Sequence, residues 1–118
     1  MFLSDKQIKD YQTDGAIVVK EIFKDWIETL RKGFQKVLEN PSKHGRENVS
    51  DSNGRFFEDY CNWERVNEFK DCIFNSSGAQ IVAEVTKSKS TQIFHEHIFI
   101  KEPGTYKETP WHQDMPYY

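Results

Sequence analysis

The sequence has few cysteines and no long apolar run. Two cysteines, Cys61 and Cys72, are too few for the disulfide framework of a small secreted domain. No apolar stretch approaches the length of a membrane-spanning helix. The charged pair Asp5-Lys6 follows directly after the first apolar residues, so no secretory signal is visible. We therefore predict a cytoplasmic protein whose two thiols are reduced and packed as small apolar side chains.

An excess of charge of either sign is also lacking. The 16 basic and 19 acidic residues give a net charge of −3, which gives no reason to expect nucleic acid or a membrane surface as a partner. Nine Phe, five Tyr and three Trp supply apolar area for a core and argue against disorder. The composition therefore indicates one globular domain of ordinary size.

Helices are predicted in the first three quarters of the chain. Ser4 caps the first of them, and Gln7 completes a capping box. A longer helix is predicted over residues 25–39, where apolar residues form one stripe at helical spacing. Two shorter helices follow at residues 64–74 and 78–87.

Strands are predicted mainly near the end of the sequence. A short β-branched run favours a strand at 16–19, and an aromatic-rich segment at 55–63 is predicted to be extended. The best alternating pattern runs from residue 91 to 101, and a further strand begins at 109–114 after a turn. One face of the long strand carries Ile93, His95, His97, Phe99 and Lys101. This order predicts an α+β domain whose C-terminal half is missing, because so few strands cannot form a self-covering sheet.

The last strand contains a His-x-Asp pair, His112 and Asp114. Residues i and i+2 of a strand point to the same side, so the imidazole and the carboxylate are expected to lie side by side. Two such side chains are two of the three ligands in the 2-His-1-carboxylate site of non-heme Fe(II) oxygenases. The pair alone is a weak signal, because a loop histidine bonded to a nearby aspartate gives the same pattern.

The residues around the pair make the signal more specific. The C-terminal part contains Lys101-Glu102-Pro103-Gly104, then Trp111-His112-Gln113-Asp114, then Pro116-Tyr117-Tyr118. Together these closely resemble the phytanoyl-CoA dioxygenase-like family. Upstream stretches that are similar to the same family are Arg55-Phe56-Phe57-Glu58-Asp59 and Asp14-Gly15-Ala16-Ile17-Val18-Val19. The resemblance spans nearly the whole chain.

This resemblance implies a fold, a reaction and a ligand set. The fold would be a double-stranded β-helix, or jelly roll, with N-terminal helices packed on one sheet. The reaction would be hydroxylation of a small organic substrate with Fe(II), dioxygen and 2-oxoglutarate, and His112 and Asp114 match the first two iron ligands. The family's distal histidine and its 2-oxoglutarate-binding arginine have no counterpart here. Residues 1–118 are therefore expected to be the N-terminal part of a single domain, truncated after the first metal-ligand strand.

Lys101 is the candidate residue for binding the co-substrate. It ends the strand that precedes the metal pair, and a cation there can pair with a carboxylate of 2-oxoglutarate or of the substrate. An exposed lysine with a solvated ammonium is the alternative. Other residues expected to line a pocket or the core are His95, His97, Trp111, Tyr117 and Tyr118.

Two other functions stay open at this point. The chain can be a non-catalytic, truncated binding or scaffold protein that is completed by forming a homo-oligomer. It can also be a different cupin-like metal enzyme, such as an isomerase. Consumption of 2-oxoglutarate would separate the oxygenase from the isomerase.

Overall fold

The computed structural model describes residues 1–48, 53–114 and 116. This part of the chain combines α-helices with an antiparallel sheet, which confirms the α+β class. The helices are α1 (Asp5–Asp14), α2 (Ile27–Glu39), α3 (Asn67–Asn75) and α4 (Gly78–Thr86), and the strands are β1 (Arg46–Glu47), β2 (Phe56–Tyr60) and β3 (His97–Lys101). None of these helices is long and apolar enough to cross a membrane. The predicted pocket residues Tyr117 and Tyr118 lie outside the described residues.

The signals at the ends of the first helices are confirmed. Ser4 Oγ accepts a hydrogen bond from the Gln7 N–H at 3.3 Å, and Gln7 Oε1 accepts one from the Ser4 N–H at 2.9 Å. Gly15 ends α1 with φ of +75°, a conformation that favours glycine. The second predicted helix is also present, and its first turn is a 3-10 helix over Lys24–Trp26.

The sheet has the order β1-β2-β3, and both neighbouring pairs are antiparallel. Residues that face each other across antiparallel strands share a side of the sheet. The pairs Phe57–Ile100 and Asp59–Ile98 therefore lie on one side. The opposite side, here called the cleft face, carries the pairs Phe56–Lys101, Glu58–Phe99 and Tyr60–His97.

The hydrophobic core lies between the sheet and helices α2 and α3. Val37 of α2, Phe69 of α3 and Ile98 of β3 are all buried and in one cluster with Phe57 and Val66. The predicted alternation of β3 is confirmed, because Ile98 is buried while its neighbours in the strand, His97 and Phe99, are exposed. The helices thus cover one side of the sheet, and the other side remains for the C-terminal segment.

Asp59 connects the loop before β1 to this core. Its carboxylate accepts hydrogen bonds from the Ser42 N–H at 2.8 Å, the Ser42 hydroxyl at 2.5 Å and the Tyr60 N–H at 2.8 Å. Burial acts to raise the pKa of Asp59, but these hydrogen bonds outweigh it, so the pKa of this carboxyl is lowered. A buried carboxylate that is stabilised in this way fixes the position of β1 beside β2.

Three predicted strands differ from the observed structure. Residues 16–19 form no strand, residues 91–101 form one only over β3, and residues 109–114 are irregular. A strand needs a partner for its backbone groups, and β3 has one only as far as β2 extends. After Tyr60 the chain turns away at Cys61, whose φ is +60°.

The two cysteines occupy different environments. Cys72 is buried in α3, as predicted, and burial raises the pKa of its thiol. Cys61 was expected to be buried as well, but it is exposed because it lies in the turn that follows β2.

Candidate metal centre

A tight turn after β3 brings the C-terminal segment back over the cleft face. The Thr105 N–H donates to the Glu102 carbonyl at 3.2 Å, and Gly104 has φ of +93°. This confirms the turn predicted at Glu102-Pro103-Gly104. The turn packs closely on Gly54, where an added Cβ would lie 2.1 Å from the Thr105 nitrogen. Glycine at residue 54 therefore permits the backbone contact that directs the C-terminal segment.

His112 and Asp114 lie side by side at the end of this segment. His112 Nε2 is 3.2 Å from Asp114 Oδ1. The juxtaposition agrees with the expectation, but its cause differs. The residues are in an irregular segment, so the geometry comes from a local bend at Asp114 and not from strand alternation. Both side chains are solvent-accessible, with 41% and 79% of their surfaces exposed.

The imidazole of His112 is oriented by the backbone. Its Nδ1 lies 2.8 Å from the Pro110 carbonyl oxygen, which can only accept a hydrogen bond. Nδ1 therefore carries a proton. A backbone carbonyl in this position is a common way to fix the tautomer and ring orientation of a metal-binding histidine.

This arrangement suits a cation at Nε2. When Nδ1 carries the proton of the ring, Nε2 presents a lone pair to the Asp114 carboxylate oxygen. These two acceptors repel each other, and a proton or a metal ion between them removes the repulsion. Adjacent ligands of an octahedral ion with bonds of about 2.1 Å are about 3 Å apart, close to the 3.2 Å observed. The residues present therefore fit two adjacent ligand positions of a metal ion. Across residues 1–48, 53–114 and 116, no group of three such side chains forms a metal site.

Lys101 lies beside the segment that carries the pair. Its ammonium donates to the Lys107 carbonyl at 3.0 Å and to the Thr109 hydroxyl at 3.1 Å, and it lies 4.5 Å from the centre of the Phe56 ring. The side chain therefore anchors the C-terminal segment to β3. It lines the same cleft as His112.

His95 and His97 also line this cleft, as the sequence predicted. His97 is packed at 4.0 Å from the Phe99 ring and 5.3 Å from the Tyr60 ring, measured between centroids. Burial, followed by the nearby His95 and Arg46, lowers the pKa of His97. The lowered pKa favours the neutral ring, whose two nitrogens can serve as a hydrogen-bond donor and an acceptor.

The cleft between the sheet and the C-terminal segment has a volume of about 890 Å³. It brings together the three predicted site residues Lys101, His112 and Asp114. Among the described residues, its lining is Arg46, Phe94, His95, His97, Phe99, Lys101, Thr109, Pro110, His112 and Asp114. Trp111 is fully exposed and is not among them.

Two residues of the cleft face were not predicted from the sequence. Glu58 is buried there with 5% of its surface exposed. One carboxylate oxygen accepts a hydrogen bond from Arg46 Nε, and the other lies 3.6 Å from His97 Nε2. Phe56 and Tyr60 lie two positions before and after Glu58 on the same face of β2, and this aromatic face could have indicated a buried carboxylate between them. Arg46 lies in a polar run without any such signal.

The described residues thus form an α+β protein in which His112 and Asp114 lie 3.2 Å apart in a cleft beside the sheet. A family model described as phytanoyl-CoA dioxygenase (PhyH) matches residues 11–118. The match covers most of the chain, so the protein belongs to this dioxygenase family. No curated protein and no solved structure gives a significant match.

Proposed function

We propose that this chain carries the iron-binding part of an Fe(II)- and 2-oxoglutarate-dependent dioxygenase that hydroxylates a small organic substrate. The observation that supports this is the 3.2 Å separation of His112 Nε2 and Asp114 Oδ1 within a cleft. Imidazole and carboxylate are the ligand types that non-heme Fe(II) oxygenases use. Family membership agrees with an oxygenase.

When bound, Fe(II) would supply the redox chemistry, in which one oxygen atom of dioxygen enters the substrate and the other enters succinate as 2-oxoglutarate loses carbon dioxide. His112 and Asp114 would hold the ion. The Pro110 carbonyl favours the proton on Nδ1 of His112, so Nε2 is the ring nitrogen that would bind the ion.

Lys101 is proposed to bind a carboxylate of 2-oxoglutarate. Its ammonium lies between two neutral oxygen acceptors, the Lys107 carbonyl and the Thr109 hydroxyl. An ammonium has three N–H donors, and a carboxylate is a stronger acceptor than either neutral group. A co-substrate entering the cleft can therefore compete for this cation.

The proposal includes a larger fold than the described residues form. In the part of the chain that the structure describes, β3 pairs with β2 along one edge, and its other edge can accept a further strand. Added strands would extend the sheet into a jelly roll. We propose that a second histidine ligand and an arginine for 2-oxoglutarate lie on such added strands.

Anaerobic titration of a protein extended past Tyr118 with Fe(II) and 2-oxoglutarate tests the proposal. We expect a visible absorption band from iron-bound 2-oxoglutarate. His112→Ala should abolish the band, whereas His44→Ala, which removes a histidine stacked on Tyr60, should retain it. Lys101→Met should still bind the metal, but a higher concentration of 2-oxoglutarate should be needed to form the band.

The proposal fails if the parent protein gives no band, or if His112→Ala gives the same band as the parent. A monodisperse oligomer without any iron requirement would instead support the scaffold function. A metal-dependent reaction that forms no succinate would support the isomerase.

A further inference from the structure

The cleft contains a second group of polar residues on the side of the three strands. Arg46 of β1 faces Glu58 of β2 directly in the strand register, and His97 of β3 lies on the same face. Arg46 and His97 line the cleft together with the proposed metal pair. No part of the iron chemistry proposed above requires Arg46.

Glu58 holds the guanidinium of Arg46 in a fixed orientation. Its buried carboxylate needs a positive partner, and it accepts a hydrogen bond from Arg46 Nε. Burial lowers the pKa of His97 and so disfavours a positive charge on its ring. Arg46 is therefore the cation that balances Glu58 and is positioned by it.

The same guanidinium is also available to a ligand. The side chain of Arg46 is 70% exposed even though Glu58, its partner, is 6% exposed. A guanidinium carries five N–H donors in a planar fork that matches a carboxylate in two parallel hydrogen bonds. Because Glu58 already orders this fork, a ligand would lose less entropy on binding to it.

The rest of the cleft indicates what the carboxylate is attached to. The Phe94 and Phe99 side chains line the cleft and are 75% and 55% exposed. Such rings favour an apolar or aromatic body over a short, fully polar acid. We infer that Arg46, positioned by Glu58, binds the carboxylate of an organic acid with an apolar body. This acid would be the substrate, so the inference rests on the proposed function.

Binding of small acids in the absence of metal tests this inference. The ¹⁵N-labelled chain is titrated with 3-phenylpropionate, with its neutral analogue 3-phenylpropanamide and with 2-oxoglutarate, while amide chemical shifts are followed by NMR. We expect 3-phenylpropionate to bind about tenfold more tightly than the amide, with shifts at Arg46, His97 and Phe99. The difference between acid and amide should vanish in Arg46→Gln.

Three further variants keep the test interpretable. Arg55→Gln removes an arginine of the same sheet region that pairs with Glu47 and does not line the cleft, so it should bind as the parent does. Arg46→Lys keeps the charge without the fork and should show an intermediate affinity. If Arg46→Gln fails to fold because Glu58 loses its partner, the double variant with Glu58→Gln removes both charges together and should also bind acid and amide equally.

The possible outcomes separate this inference from the iron proposal. Equal binding of acid and amide by the parent overturns it, and so does an acid preference that survives in Arg46→Gln. Arg46-dependent binding of 2-oxoglutarate without binding of 3-phenylpropionate also overturns it, because the site would then serve the co-substrate. None of these measurements uses metal, so they are independent of the absorption band that tests iron binding.

Discussion

Asp59 shows how one buried residue can set a local structure. It is completely buried, and its carboxylate is the acceptor for the Ser42 loop that leads into β1. Since β1 supplies Arg46 to the cleft, the position of Arg46 depends indirectly on this carboxylate. A short chain segment without any core residues of its own is thereby held in place by hydrogen bonds.

Replacing Asp59 with Asn should destabilise the protein by about 1–3 kcal/mol at pH 6, because an amide cannot accept all the hydrogen bonds that the carboxylate accepts. The folded-state pKa of Asp59 is lowered from 3.8. Its contribution to stability is therefore present above about pH 4 and is lost as pH falls through the folded pKa. Urea titration should show that the difference in the free energy of unfolding between the parent and Asp59→Asn becomes smaller below about pH 4.

Asp14→Asn is the control for this prediction, because Asp14 is an exposed residue at the end of α1. It should change the free energy of unfolding by less than about 0.5 kcal/mol at either pH. An Asp59→Asn variant that loses the same stability at pH 3 as at pH 6 would contradict the assignment.

At the scale of elements, the contact between α2 and α3 determines how closely these two helices pack beside the sheet. Gly33 of α2 lies directly against the buried ring of Phe69 in α3. A Cβ at residue 33 would be 2.5 Å from Phe69 Cε1. The two helices can approach this closely only because residue 33 has no side chain.

Gly33→Ala should therefore destabilise the protein by about 1 kcal/mol. Overpacking a core costs about 1–3 kcal/mol, and the better helix propensity of alanine recovers up to about 1 kcal/mol of this. The free energy of unfolding from urea titration measures the balance. The double variant with Phe69→Leu should recover part of the loss, because a leucine leaves room for the methyl group.

Gly78→Ala is the matched control in a second helix. An added Cβ at Gly78 would meet its nearest neighbour, Phe23 Cζ, at 3.4 Å, which is close to ordinary contact. This variant should be neutral or slightly more stable than the parent. If Gly33→Ala and Gly78→Ala change the free energy of unfolding equally, then helices α2 and α3 can move apart without loss of stability.

At the scale of the whole molecule, the cleft depends on segments that are distant in sequence. β1 supplies Arg46, β3 supplies His97 and Lys101, and the C-terminal segment supplies His112 and Asp114. The turn after β3 and the anchoring hydrogen bonds of Lys101 bring these segments together. A ligand that binds this cleft should therefore bind the folded state only, and it should raise the unfolding temperature.

Mn²⁺, which can replace Fe(II) without reacting with dioxygen, provides a test of this coupling. At a concentration about 100-fold above its dissociation constant it should stabilise the folded state by about 2.7 kcal/mol. For a domain of this size that corresponds to a rise of roughly 10 °C in Tm. Differential scanning calorimetry should show this rise in the parent and not in His112→Ala. An equal rise in both proteins would place the ion elsewhere.

The sequence by itself determined the features that depend on near neighbours. The capping box of Ser4 and Gln7, the apolar stripe of α2 and the alternation of β3 were all predictable, because each involves residues within a few positions of one another. The resemblance to the dioxygenase family was also evident from short motifs, and the family match confirms it.

Only the tertiary structure decided where strands end and which distant residues meet. Residues 91–96 and 109–114 have strand-like patterns, yet they are not strands, because strand formation needs a partner that local sequence does not specify. The contact of Arg46 with Glu58, 12 residues apart, likewise follows from the pairing of β1 with β2. Local sequence encoded the candidate pair of His112 and Asp114, whereas long-range strand pairing placed Arg46, held by Glu58, in the same cleft.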